Sequence, residues 1–347
     1  MLDRGFISMI GETCTFSVLS SSADSSLNPF FHKGPVYLPH MDELYVNSDL
    51  LQSTSSSELP IILISKFSFR RRDPSLASPE TATPIASLEW MKLRPPPNMP
   101  MPSGAIPYKE GILYCSQGNF EPRSGGLFYM PLGKRPIPLV TSYFGKPFNS
   151  IQDVVEDSDG ALWFTDSSAG QEHDIRPAPQ LPSHVYWFRP ETGQLCVVAD
   201  GLRRPTGIAL SRTGSTIYIS DTDAARVGNT AASTSFVIPY SPATIYAYDI
   251  VRRQNGPPSL EKKRIFSFAF SGVPAAIVCD SSANVFAACA DGVEVWNSRG
   301  VALGVIQVPG GCSSLCFGQD GELFVCGGQT LWRVNLRTYG PSDVEEH

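Results

Sequence analysis

The chain has 347 residues, 42 % hydrophobic and 17 % charged, with a formal net charge of −6. That acidic balance excludes a nucleic-acid surface, which needs a basic patch. No apolar run reaches the roughly 18 residues of a membrane-spanning helix, and the 29 glycines and 30 prolines point to many turns and a β-rich chain.

In chain order, residues 1–28 lack a basic start followed by an unbroken apolar core. They read as an N-terminal extension rather than a signal peptide, on a cytoplasmic protein whose single domain spans 29–347. The first strand–turn–strand unit is "PVYLPHMDELYVNSD" (35–49). Residues 58–103 then carry the outer strands of that unit and a Pro-rich linker, within which "FRRRDP" (69–74) reads as a solvated basic loop. The grammar returns in "PYKEGILYCSQG" (107–118) and in "NSIQDVVEDSDGALWFTDSSAG" (149–170), where Asp159-Gly160 is a tight hairpin signal. It recurs in "PTGIALSRTGSTIYISDT" (205–222), "PAAIVCDSSANVFAACADG" (274–292) and "SLCFGQDGELFVCGG" (314–328). Outer strands follow at 185–200 and 244–253. Two insertions, 167–184 and 221–244, are poor in strand signals and are expected over one mouth of the fold. Six such units predict an all-β, six-bladed β-propeller with long loops over one mouth of a central tunnel.

Counting eight residues back from each turn gives Lys33, Ser103, Gln152, Thr206, Ala275 and Ser313, one per innermost strand, each expected to face the tunnel. The eight cysteines lie mostly inside strand-like apolar stretches, without zinc-finger spacing, and read as buried free thiols. Ser116 has no nucleophile-elbow context, which sets aside a serine-hydrolase triad.

From about Phe31 to Val334 the chain resembles the regucalcin–gluconolactonase (senescence marker protein) family, in particular its fungal lactonohydrolase branch. The stretches that carry the likeness are "FHKGPVYLPHMDELYV", "YFGKPFNSIQDVVEDSDGALWFTD", "VADGLRRPTGIALSRTGSTIYISDT" and "ADGVEVWNSRG". The resemblance implies a six-bladed propeller that opens lactones or hydrolyses esters with one divalent cation on its axis. It places the cation's Glu at Lys33 ("HKGPV"), an Asn at Thr206 ("PTGIALS"), an Asp at Ala275 ("PAAIVCD") and a further Asn at Gln152 ("IQDVV"). All four positions are changed. A hard dication needs several oxygen donors, and an ammonium in their place repels it.

These substitutions lead to the expectation of a metal-independent enzyme of fungal secondary metabolism with no cofactor. It would act on a hydrophobic small molecule by cyclisation or cycloaddition, such as a hetero-Diels–Alder reaction, catalysed by orientation and hydrogen-bond donors. Lys33, Gln152 and Thr206 are the candidate catalytic donors. Ser103, Ala275, Ser313, Tyr143, Phe144, Phe148, Trp187, His184, Phe236 and Tyr240 are the candidate substrate-binding residues. Two alternatives stand beside this: a metal-dependent lactonase or esterase with a cation site rebuilt from Asp153, Asp221 or Asp223, and a non-catalytic ligand-binding propeller.

Overall fold

The computed structural model describes residues 4–11, 14–52, 60–72, 83–227, 235–254 and 256–337. Strands dominate, and they form six four-stranded antiparallel sheets, the six blades expected from the repeats. Two short two-stranded ribbons, at 142–147 and 225–237, are added to them. The chain divides into two compact units, one holding residues 1–51, 62–94 and 278–347, the other 52–61 and 95–277.

The second unit contains three complete blades, whose innermost strands are Pro102–Tyr108, Ile151–Glu156 and Pro205–Leu210. The middle blade is covered on both faces by its two neighbours, so its strands are apolar at consecutive positions and not merely at alternate ones. Leu162-Trp163-Phe164 shows the consequence. Trp163 joins Trp187, Ile208, Ile217 and Tyr248 in one core, while Phe164 joins Phe148, Tyr186, Leu113 and Leu127 in another. Opposite side-chain directions along one strand thus cement a blade to both neighbours.

The first unit contains the strands Lys33–Leu38 to Ile85–Leu93, the blade of 277–307 from Val278 onward, and the blade built on Ser314–Phe317. The last of these borrows its fourth strand from the other end of the sequence. Thr15–Ser21 pairs antiparallel with Thr330–Asn335, Phe16 opposite Val334. Within the segment 1–28, expected as an extension, the strand Thr15–Ser21 therefore supplies a working part of a blade. Its hydrophobic–polar alternation is weak because an outermost strand covers little core, and most of its residues are exposed.

The basic run 69–74 also differs from expectation over 69–72, residues 73 and 74 lying outside the described residues. Arg70 and Arg71 end the strand Ile64–Arg71, and Arg71 turns inward. Its guanidinium meets Asp42 (Nε–Oδ2 2.8 Å) and Glu322 (Nη1–Oε1 2.8 Å). Arg333 reaches the same Glu322 through Nε at 2.6 Å, and Tyr37 donates to Asp42 at 2.7 Å. Glu322 is fully buried, and two arginines compensate its charge. The cysteines are unbridged, and burial raises the Cys279 thiol to about 12.

Removing one partner from such a cluster strands the opposite charges out of water. Glu322→Gln is expected to lower the unfolding free energy by about 3–5 kcal/mol. Arg70→Ala, which breaks only the exposed Arg70–Glu89 pair, is expected to change it by less than about 0.5 kcal/mol. Urea denaturation of the two variants beside the parent measures the contrast.

Candidate functional site

The positions read from the repeats lie at the beginnings of the innermost strands, and the strand pairing explains why they stand apart. In the second unit the ladder between first and second strands shifts register between Pro102 and Ala105, Ile151 and Asp153, and Pro205 and Ile208. Ser103, Gln152 and Thr206 fall in these interruptions. In the first unit the same shift lies between Lys33 and Val36. A bulge frees residues from the ladder and re-aims their side chains. This repeated irregularity, invisible in the hydrophobic pattern, distinguishes these positions.

A second repeated device fixes the segment leading into each bulge. The last residue of the second strand reaches back to it. Ser116 donates to the Pro100 carbonyl (Oγ–O 2.5 Å). Asp166 accepts from the Asn149 and Ser150 amides at 3.0 and 2.6 Å. Asp221 accepts from the Arg203 and Arg204 amides, both at 2.9 Å. Asp166 has no exposed surface, and burial pushes its carboxyl up to about 7, against the pull of those two amides and of Arg176.

Around Gln152 a buried polar chain forms. Its Nε2 donates to Ser150 Oγ at 2.8 Å and lies 3.0 Å from the Ser150 carbonyl, while Ser150 Oγ is 3.1 Å from Gln117 Oε1. Thr206 shares its hydroxyl with Thr222 at 2.7 Å, and both lie against the Arg204 carbonyl. Over these two positions runs the insertion 167–184, with the short helix Ala169–Glu172. A Cβ on Gly170 would lie 3.1 Å from Ser150 Oγ, so the helix rests on that residue. Glu172 Oε2 pairs with Arg204 Nη1 at 3.2 Å. Arg176 anchors the same insertion, donating to the carbonyls of Asn149 (2.9 Å) and Asn119 (2.6 Å). Burial lowers its pKa.

Several candidate residues serve the framework instead. Ser103 Oγ donates to the Gln152 carbonyl at 2.9 Å, joining adjacent blades, and in the first unit Ser313 Oγ donates to the His32 carbonyl at 2.8 Å. Both hydroxyls are thereby committed to backbone. Phe148 and Trp187 are 1 % and 2 % exposed and sit in the two cores between blades, so neither lines a mouth. Tyr143 stands in the ribbon Ser142–Tyr143 and packs on Tyr186, with ring centroids 5.3 Å apart. His184 opens the strand His184–Arg189 with Nδ1 3.3 Å from the Tyr186 hydroxyl, and burial lowers its pKa. Phe144 and Tyr240 are exposed, at 89 % and 88 %. Phe236 lies opposite Arg226 in the ribbon of 225–237, and its side chain is outside the described residues. Ala275 is half-buried just before the strand Ile277–Cys279. Lys33 is half-buried opposite Asn47.

These groups do not fit a divalent cation. Among the described residues no three His, Cys, Asp or Glu side chains converge as a metal site. Asp221 is occupied by backbone amides, and Asp153 faces the amides of Val154 at 3.0 Å and Ile208 at 3.4 Å. Asp223 accepts from Arg203 at 3.3 Å. The rebuilt cation site considered for these three carboxylates is not assembled. The residues that sequence reasoning passed over are Gln117, Ser150, Asp166, Glu172, Arg176 and Arg204. Of these only Asp166 left a trace, as the acid closing "LWFTD".

The family model for the SMP-30/Gluconolactonase/LRE-like region matches residues 97–328. Lactonohydrolase oryL of Aspergillus oryzae is 28 % identical over 298 residues, covering 81 % of this chain and 62 % of that protein. A gluconolactonase of Zymomonas mobilis is 30 % identical over 223 residues, covering 60 % and 57 %. The chain thus spans about three fifths of the length of these relatives. A gluconolactonase structure from Xanthomonas campestris superposes with a TM-score of 0.69 at 23 % identity, covering 96 % of this chain and 93 % of that one. The fold is that of the gluconolactonase propellers.

Asp166 has a pH signature. In the unfolded chain its carboxyl loses its proton at the ordinary 3.8; in the fold it keeps it to about 7. Between those values the folded state binds the extra proton, so this group's contribution to stability declines as pH rises through that window and is level above it. Subtracting the stability–pH curve of Asp166→Asn from that of the parent should leave this slope. A flat difference would remove the assignment.

Proposed function

We propose that this chain, which belongs to the SMP-30/Gluconolactonase/LRE-like family, opens cyclic esters by hydrolysis. The observation that carries this reading is the family match across residues 97–328, which includes the whole bulge-and-insertion site of the second unit. The relatives named for lactone hydrolysis support it. In such a reaction water adds to the lactone carbonyl carbon, negative charge develops on the carbonyl oxygen, and the ring C–O bond breaks to give a hydroxy acid. Donors aimed at that oxygen supply the largest share of such catalysis. Gln152 Nε2 and the Thr206–Thr222 hydroxyl pair are the proposed donors, exchanging their present internal partners for the substrate.

No step is assigned to a cation, because the side chains present do not fit one. The second reading, a cyclisation or cycloaddition of a neutral molecule, rests on one specific observation. Gln152, Thr206 and Ala275 carry an amide, a hydroxyl and a methyl group where the resemblance implies an Asn, an Asn and an Asp. The relatives' names give it no support.

Assays of glucono-1,5-lactone, γ-butyrolactone and an aromatic lactone by pH indicator are expected to show ring opening above the blank, with and without EDTA. Gln152→Ala should reduce kcat on the order of 10²-fold. Rates equal to the blank across the panel would overturn the hydrolytic reading. Loss in EDTA restored by Ca²⁺ or Zn²⁺ would overturn the account of the donor set.

A further inference from the structure

In the second unit the residue just after each blade's second strand holds a fixed post. The Gln117 amide donates to the Met101 carbonyl at 3.0 Å, the Ser167 amide to Ser150 at 3.3 Å and the Thr222 amide to Arg204 at 3.0 Å. Each acceptor stands immediately before a first strand. From this post Thr222 reaches the bulge residue of its own blade, Thr206. Ser167 does not do so for Gln152, since its buried hydroxyl has no hydrogen-bond partner among the described residues. Gln152 is met instead from the preceding blade, where Gln117 Oε1 lies 3.1 Å from Ser150 Oγ and 3.4 Å from Gln152 Nε2.

Chemistry fixes the direction of this chain. The Ser150 carbonyl can only accept, so the Gln152 end that lies 3.0 Å from it is the nitrogen. That nitrogen donates to Ser150 Oγ at 2.8 Å, which leaves the single Ser150 hydroxyl proton for Gln117 Oε1. Gln117 is the terminal acceptor. Hydrogen bonds in such a row strengthen one another. All three residues are buried, and removing the acceptor would strand the Ser150 hydroxyl out of water.

We propose that Gln117 is a positioning residue for the reaction: it receives the Ser150 proton and thereby aims the Gln152 amide from the neighbouring blade. This rests on the reading of Gln152 as a donor to the lactone carbonyl oxygen. One Gln152 N–H stays on Ser150 Oγ as a pivot, and the other turns from the framework to the substrate. A weakened pivot misdirects the donor in the transition state while the lactone still binds, which is a loss in kcat with little change in KM.

Two substitutions of similar length separate aim from packing. Gln117→Met fills the space without offering an oxygen, and kcat is expected to fall about tenfold with KM within about twofold of the parent. Gln117→Glu keeps an acceptor oxygen, charged or neutral, and is expected to hold kcat within about threefold. In the Gln152→Ala background the Gln117→Met change is expected to have no further effect on kcat. Melting curves identify a variant that fails to fold, and Gln117→Ala provides a second acceptor-free version. Equal rates for Gln117→Met and Gln117→Glu, or an undiminished loss in the Gln152→Ala background, would overturn the inference. Where the parent opens no lactone, the same double-mutant cycle read by urea denaturation decides. Non-additive stabilities would uphold the Gln117–Gln152 coupling and remove only the hydrolytic reading, and additive ones would overturn the coupling as well.

Discussion

The grip of each second strand on the segment leading into its own first strand governs the second unit. In a blade the innermost strand has the least room, and its ladder breaks at the beginning, where the bulges lie. A broken ladder leaves amides and carbonyls without strand partners, and buried backbone groups must be satisfied. Asp166, Asp221 and Ser116 meet that demand from the end of the adjacent strand. With the lead-in held, Gln152 and Thr206 have fixed directions. Without it, neither the amide–hydroxyl chain nor the Arg204 backbone would have a defined place.

The same device bears on why no three acidic, His or Cys side chains converge among the described residues. The carboxyl groups of the second unit that lie nearest the bulges are engaged by backbone amides, so oxygens a cation would need are already occupied. Neutral side chains at the bulges need only local partners, and find them in Ser150, Gln117 and Thr222. Arg204, next to Thr206, pairs with Glu172, which comes from an insertion rather than from a strand.

Much of the fold was legible because a blade writes itself into sequence as a strand, a turn and a strand. Asp159-Gly160 and the apolar runs beside it mark one such unit unambiguously, and the covered faces explain why "LWF" is continuous rather than alternating. The site was legible only as heights on strands. Ser103 and Ser313 stood at the right height but spend their hydroxyls on the next blade. Trp187 and Phe148 were placed at a mouth because an aromatic residue near a loop looks the same in sequence whether it faces solvent or a neighbouring sheet. Glu172, Arg176 and Arg204 left no signal, since their partners are loop carbonyls and residues tens of positions away. The strand at 15–21 was missed for a related reason: its partner lies more than 300 positions downstream.

That pairing bears on how the molecule is made. Ser17 and Arg333 lie 316 positions apart and stand side by side in the finished sheet. During synthesis the early strand must wait, unpaired, until the strand 316 positions further on has emerged. Contacts of such long range close slowly, and an unpaired edge invites the wrong neighbour in the interval. Phe16 and Val18 keep exposed apolar surface even in the finished sheet.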